Sequence, residues 1–206
     1  MITLGILGGV ASGKSTLTQY LIFKGACHLD GDKINHEILT YPEVVQQVKA
    51  RWSSNCLKSG LNIYGQTAMV VDRKALASIV FNDPNELRIL EDIVWPLANA
   101  KLHESFTRYN QEYTKVLIFD IPMLIETGWI NLCNKTVFVS CPEHVRIERF
   151  AKRQGYTLEE GEKQLKAREA RQIDLNQKRE FADIVVEETQ DYTGMNLSVA
   201  KKLGLA

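Results

Sequence analysis

The chain has 206 residues, 45% of them hydrophobic and 24% charged, with 25 Lys and Arg balancing 25 Asp and Glu. That length supports one well-buried core with room for a small inserted subdomain. Zero net charge gives no reason to expect a nucleic-acid or anionic-membrane partner, so any anion site must come from local clustering. Cys27, Cys56, Cys133 and Cys141 are scattered, with no CxxC pair and no His at metal-ligand spacing, which predicts reduced core thiols. The first apolar run has no basic leader and is broken by Gly8-Gly9, too short for a signal peptide or a membrane span. A soluble, cytoplasmic protein is expected.

Taken in chain order, "ITLGIL" (2–7) reads as a buried strand. It is short, rich in β-branched residues and bounded by turn residues. "GGVASGKS" (8–15) follows and meets the pattern G-x-x-x-x-G-K-[ST] with Gly8, Gly13, Lys14 and Ser15. Glycines let such a loop curl so that successive N–H groups converge on phosphate oxygens. A helix opening near Lys14 adds its positive end. The pattern assigns Gly8, Gly9, Val10, Ala11, Ser12, Gly13, Lys14, Ser15 and Thr16 to ATP binding. Lys14 reaches the β- and γ-phosphates, and Ser15 ligates Mg²⁺.

"STLTQYLIFK" is long enough for one crossover helix before a second strand, "ACHL" (26–29). "DGD" then places Asp30 and Asp32 past the carboxyl end of that strand, where ligands of open parallel sheets bind. Asp30 is open to two roles, cap of the next helix or direct contact with substrate. Asp32 is assigned as the base that orients an acceptor hydroxyl and takes its proton.

From Asp32 to Tyr113 no strong strand signal appears, and "SGLNIYG" (59–65) reads as a loop. In "DPNELRILEDIVWPL", Asp83 is the expected N-cap, Pro84 the first helical residue and Glu86 the partner in a capping box. Pro96 is expected to end that helix and start another. A mostly helical insertion of this size exceeds what a crossover needs and predicts a substrate-binding subdomain.

"KVLIFDI" (115–121) and "KTVFVS" (135–140) read as further strands, and "ADIVVE" (182–187) as a fifth. Asp120 at a strand end has the form of a Walker B carboxylate and is a second candidate Mg²⁺ ligand. Glu126 sits where the following loop would face the cleft. Between the last two strands the text is helical and densely charged. Arg149 and Arg153 share a helix face and precede an expected hairpin, "KRQGYTLEE", placing them in a lid over the transferring phosphate. Arg146, Arg168 and Arg171 are expected to belong to solvated faces with internal ion pairs.

Several stretches now coincide: "GILGGVASGKST", "DGD", "VDRKALASIVFNDP", "LEDIVWPL", "FDIPMLIE", "RIERFAKRQG" and "FADIVVE", in that order. Together they resemble the dephospho-CoA kinase family over nearly the whole chain. The resemblance implies an α/β fold with a P-loop kinase-like, parallel five-stranded sheet and helices on both faces. It also implies a single domain with its core at about 1–31, 114–142 and 181–206, a helical CoA-binding insertion at about 32–113 and a helical lid at about 143–180. The implied reaction is ATP- and Mg²⁺-dependent phosphorylation of the 3′-hydroxyl of the dephospho-CoA ribose, by a monomer or weak homo-oligomer with a small-molecule substrate as partner. The family's catalytic aspartate falls on Asp32, its lid arginines on Arg149 and Arg153, and its P-L-L-x-E segment on Pro122, Met123, Leu124 and Glu126. Leu124 and Glu126 are thereby candidate substrate contacts beside Asp30 and Asp32.

The chain departs from the family pattern at His36, Trp95, Arg146 and Arg168, and in the "VEETQD" turn that begins near Glu187. These positions bear on acceptor and base recognition. A P-loop kinase for another small hydroxylated metabolite or a nucleoside stays open, as does a catalytically weakened nucleotide- or CoA-binding paralogue. A regulatory GTP-binding switch is set aside, because "NKTV" (134–137) lacks the Asp of a guanine motif and opens a strand.

Overall fold

A computed structural model describes residues 1–112, 114–187 and 192–205. The chain divides into two compact units, Met1–Leu29 with Arg108–Ala206, and Asp30–Thr107. The first opens with β1 (Ile2–Gly8), α1 (Lys14–Phe23) and β2 (Cys27–Asp30), whose last residue begins the second unit. The second holds α2 (Gly31–Ile38), α3 (Pro42–Trp52), β3 (Leu57–Leu61), β4 (Thr67–Val71), α4 (Arg73–Val80) and most of α5 (Pro84–Gln111). The first resumes with β5 (Val116–Asp120), β6 (Lys135–Ser140), α6 (Glu143–Gln154), α7 (Leu158–Glu169), α8 (Leu175–Glu180), β7 (Ile184–Glu187) and α9 (Tyr192–Lys202).

The first unit is a five-stranded parallel sheet in the order β2-β5-β1-β6-β7. All five strands expected from the apolar runs are present. Side chains alternate between the two faces of each strand, and both faces of the central strands are apolar. Leu4 and Ile6 of β1, Val116 and Ile118 of β5 and Val137 and Val139 of β6 are buried with Leu17 and Leu21 of α1, Val199 and Ala200 of α9 and Leu203 just beyond it. The alternate residues Leu7, Leu117, Phe119 and Phe138 are buried too, and Trp129 meets Phe119 edge-on at 5.7 Å. Burial on both faces is what the near-continuous apolar runs require of a parallel sheet.

α6 and α7 form a helical hairpin. α6 stops at Gly155, which takes a left-handed conformation, and the Thr157 hydroxyl caps α7 by accepting from the Glu160 N–H. The helices approach closely because Gly161 has no side chain: a Cβ there would lie 2.6 Å from that of Ala151.

The second unit corrects three local expectations. Residues 59–61 are strand, not loop: β3 and β4 pair antiparallel, Leu57 opposite Val71 and Leu61 opposite Thr67. Asn62 closes the turn by accepting from the Tyr64 and Gln66 N–H groups, and Gly65 supplies the positive φ. Lys58, Ser59 and Gly60 carry little strand propensity, so the hairpin depends on its partner strand and turn. α5 runs without a break through Pro96. An interior proline removes one hydrogen bond and crowds the preceding turn, but burial of Ala98, Leu102 and Ser105 anchors the helix beyond it. Glu86 does not complete a capping box. It accepts instead from the Trp52 Nε1–H, at 2.8 Å, and from Arg51. Among the described residues no helix is long and apolar enough to cross a membrane. The expected turn in "VEETQD" lies, from residue 188 onward, outside the described residues.

Candidate active site

β1 runs straight into the glycine loop, and the backbone there turns in ways most residues resist. Gly8 has φ +143°, Ala11 +60° and Gly13 +97°, and Gly13 is the N-cap of α1. The first N–H groups of α1 therefore face the loop's concave side with no side chain capping them. The Lys14 ammonium donates to the carbonyls of Gly8 and Gly9, at 2.9 and 2.6 Å. Burial pulls it down to about 8, and Asp120 is the leading charge that opposes the fall. Ser12 is buried, whereas Ser15 and Thr16 are exposed.

Val10 to Thr16, together with Arg149 and Arg153, line one open cavity of about 380 Å³. The arginines are one turn apart on α6. Arg149 lies 3.7 Å from the Cys141 sulfur, and the Arg153 guanidinium stacks on the Phe150 ring, 5.9 Å from its centre. Arg168 stacks on the same ring at 5.0 Å. A loop of inward N–H groups faced by two guanidiniums is an anion site whose charge comes entirely from local placement.

Arg146 departs from the solvated-face expectation. It is 4% exposed and donates to Glu169 Oε1 at 2.5 Å, and the same oxygen accepts from the Val10 N–H at 2.8 Å. Buried arginines are retained when paired. Lys178, 6% exposed, donates to Gln172 Oε1 and is held below its usual range by burial, against the pull of Glu126 and Glu169. Glu169 and Lys178 escape sequence reasoning: each sits in a charged helical stretch and reaches the loop region only through the fold.

Asp120 ends β5, beside β1 in the sheet, with its side chain 35% exposed. His28 Nε2 lies 3.4 Å from its Oδ2. Among the described residues no group of three or more His, Cys, Asp and Glu side chains could hold a metal ion. The Ser15 hydroxyl and the Asp120 carboxylate are hard oxygen donors. They suit an ion that takes most of its ligands from water and phosphate, as Mg²⁺ does. Glu126 accepts from the Ile173 N–H at 2.8 Å, tying the turn after β5 to the segment after α7. Leu124 is buried, its Cδ2 occupying the space a Cβ on Gly5 would need.

In the second unit Asp30 is the N-cap of α2, its Oδ1 accepting from the Lys33 N–H at 2.8 Å. Asp32 lies in the first turn of α2, where the helix dipole favours a carboxylate. His36 lies in the last turn of the same helix. The Tyr41 hydroxyl donates to Glu37 and is pushed up to about 12, by burial first and then by that carboxylate.

The sequence profile of dephospho-CoA kinases matches residues 2–193. The chain belongs to the dephospho-CoA kinase family. A dephospho-CoA kinase of Lactobacillus johnsonii is 32% identical over 190 residues, 90% of this chain and 88% of its own. One from Prochlorococcus marinus is 30% identical over 200 residues, 96% and 89% of the two chains. Among solved structures, TT1252 from Thermus thermophilus superposes with a TM-score of 0.75 at 30% identity, over 99% of this chain and 96% of that one. Dephospho-CoA kinase from Campylobacter jejuni shares the fold, with a TM-score of 0.70 at 24% identity over 98% and 95%. Arg146, which the resemblance marked as a departure from the dephospho-CoA kinase pattern, is built into the phosphate loop's support and not its solvated rim.

Proposed function

We propose that the protein transfers the γ-phosphoryl group of ATP to the ribose 3′-hydroxyl of dephospho-CoA, giving coenzyme A and ADP. The observation that carries this reading is the cavity lined jointly by the phosphate loop and the Arg149–Arg153 pair, in a chain of the dephospho-CoA kinase family. The loop N–H groups and Lys14 bind the β- and γ-phosphates. Arg149 and Arg153 stabilise the charge of the passing phosphoryl group and exclude water. Asp32 orients the 3′-hydroxyl and accepts its proton. The bond from the acceptor oxygen to the γ-phosphorus forms as the bridging bond to the β-phosphate breaks. Ser15 and Asp120 would hold Mg²⁺, which when bound supplies positive charge to the β- and γ-oxygens. Asp30 fixes the start of α2 and with it the position of Asp32. Glu126 contacts the acceptor side, and Leu124 supports that turn from the core. In this reading the enzyme acts in the cytoplasm as a monomer or weak homo-oligomer, on small molecules alone.

The test is ADP release with dephospho-CoA as acceptor, beside a panel of nucleosides and other hydroxylated metabolites and a control with none. Strong stimulation by dephospho-CoA, with a 3′-phosphorylated product seen by phosphorus NMR, is expected. ADP release indifferent to any acceptor would make the protein an ATPase. Preference for another acceptor would reassign the substrate.

A further inference from the structure

The Val10 N–H is one of the loop's donors, and its partner is a carboxylate from a residue 159 positions later in the chain. Glu169 is the last residue of α7, at the negative end of that helix, where an anionic side chain is disfavoured. Its position therefore needs compensation, and Arg146 supplies it at 2.5 Å. The pair is packed directly on the loop. A Cβ on Gly9 would lie 2.6 Å from Arg146 Nη1 and 2.9 Å from Glu169 Oε1. Both charges reach the Lys14 ammonium, with Glu169 raising and Arg146 lowering its proton affinity. Anything they do to that ammonium they do, with opposite sign, to a phosphate chain in the same loop.

We propose that Arg146 and Glu169 are positioning residues for the nucleotide: Glu169 fixes the loop by holding the Val10 N–H, and Arg146 cancels the charge this sets against the phosphates. The inference rests on the reading of the loop as the ATP phosphate site. It makes an ordering that a purely structural staple does not. The wild-type pair contributes no net charge beside the phosphates. Arg146→Gln leaves one negative charge and Glu169→Gln leaves one positive charge. The double variant leaves none, while the neutral amide at position 169 still accepts from the Val10 N–H.

The experiment is direct ATP binding by calorimetry without acceptor, at fixed ionic strength, with melting temperatures taken alongside. Arg146→Gln is expected to weaken binding about tenfold, an effect that shrinks as salt rises. Glu169→Gln is expected to tighten it about threefold, and the double variant to return to within about twofold of the wild type. A double variant as weak as Arg146→Gln would overturn the proposal, since Arg146 would then touch the nucleotide itself. Unchanged binding in Arg146→Gln would also overturn it, reducing the pair to a fold contact. If Arg146→Gln does not fold, Glu169→Gln decides alone: unchanged or weaker binding refutes the charge argument. Failure of the underlying reading is separately visible, because the wild type would then bind no ATP or Lys14→Ala would bind it equally well.

Discussion

The Lys14 ammonium turns back onto the Gly9 carbonyl, 2.6 Å away, and burial holds it near 8 against an ordinary value of 10.5. Between those values the unfolded chain binds more protons than the folded one at this residue. Its contribution to the stability of the ligand-free protein therefore rises with pH from about 8 to about 10.5. Phosphates in the loop favour the charged form, so ATP binding takes up a proton across the same window. ATP affinity is expected to fall as pH rises above about 8. Calorimetry in two buffers of different ionisation enthalpy reads the proton directly. Lys14→Arg, which stays charged, should lose the dependence. An affinity that is flat from neutral pH upward in the wild type would show that Lys14 never deprotonates.

Gly8 presents a steric limit independent of charge. Its φ of +143° is poorly tolerated by any other residue, and a Cβ would lie 2.7 Å from the Val139 carbonyl oxygen of the neighbouring strand. Backbone in the middle of a parallel sheet has little freedom to yield. Gly8→Ala is expected to lower unfolding free energy by about 2–4 kcal/mol, the range for imposed backbone strain with overpacking. Urea denaturation measures it, and a midpoint equal to the wild type's would mean that the loop entrance adapts.

The sheet was legible because parallel strands are buried on both faces and stand out as apolar runs bounded by turn residues. The phosphate loop was legible because its chemistry is local: the glycines, Lys14 and Ser15 are contiguous. Contacts made at long range were not. Nothing in "KAREARQ" says that Glu169 rather than its neighbours meets Val10, since that follows from how α7 packs on α6. The charge density that makes Arg146 look solvated is the same density that supplies its half-buried partner, Glu169. β3 and β4 leave little mark on the sequence for a related reason, as Lys58 to Gly60 become strand only through the partner and the Asn62 turn. Pro96 reads as a helix end because helix propensity is a local quantity, whereas the anchoring of Ala98 and Leu102 is tertiary.

Asp30 and Asp32 stand two residues apart and should separate cleanly by experiment. Asp30 accepts from the Lys33 N–H as the cap of α2, so Asp30→Ala should cost about 1 kcal/mol of stability. Asp32→Asn should leave ATP binding intact, while kcat falls by about two orders of magnitude or more. Activity within a few-fold of wild type in Asp32→Asn would remove it from the role of base.

Arg149 and Arg153 line the loop's cavity from one face of α6. If they meet the phosphoryl group mainly as it transfers, their loss appears in kcat more than in ATP binding. Arg149→Met and Arg153→Met are each expected to lower kcat about a hundredfold with at most about a tenfold loss of ATP affinity. Arg153 also stacks on the Phe150 ring, as Arg168 does, so Arg153→Met should lose more stability than Arg149→Met. Lysine in either place keeps the charge without the planar fork and should restore ATP affinity better than turnover. Single-turnover kinetics with saturating ATP separates the two effects. Equal losses in binding with unchanged turnover would make both arginines holders of the ground-state nucleotide, and the catalytic role would pass to Lys14 and the loop.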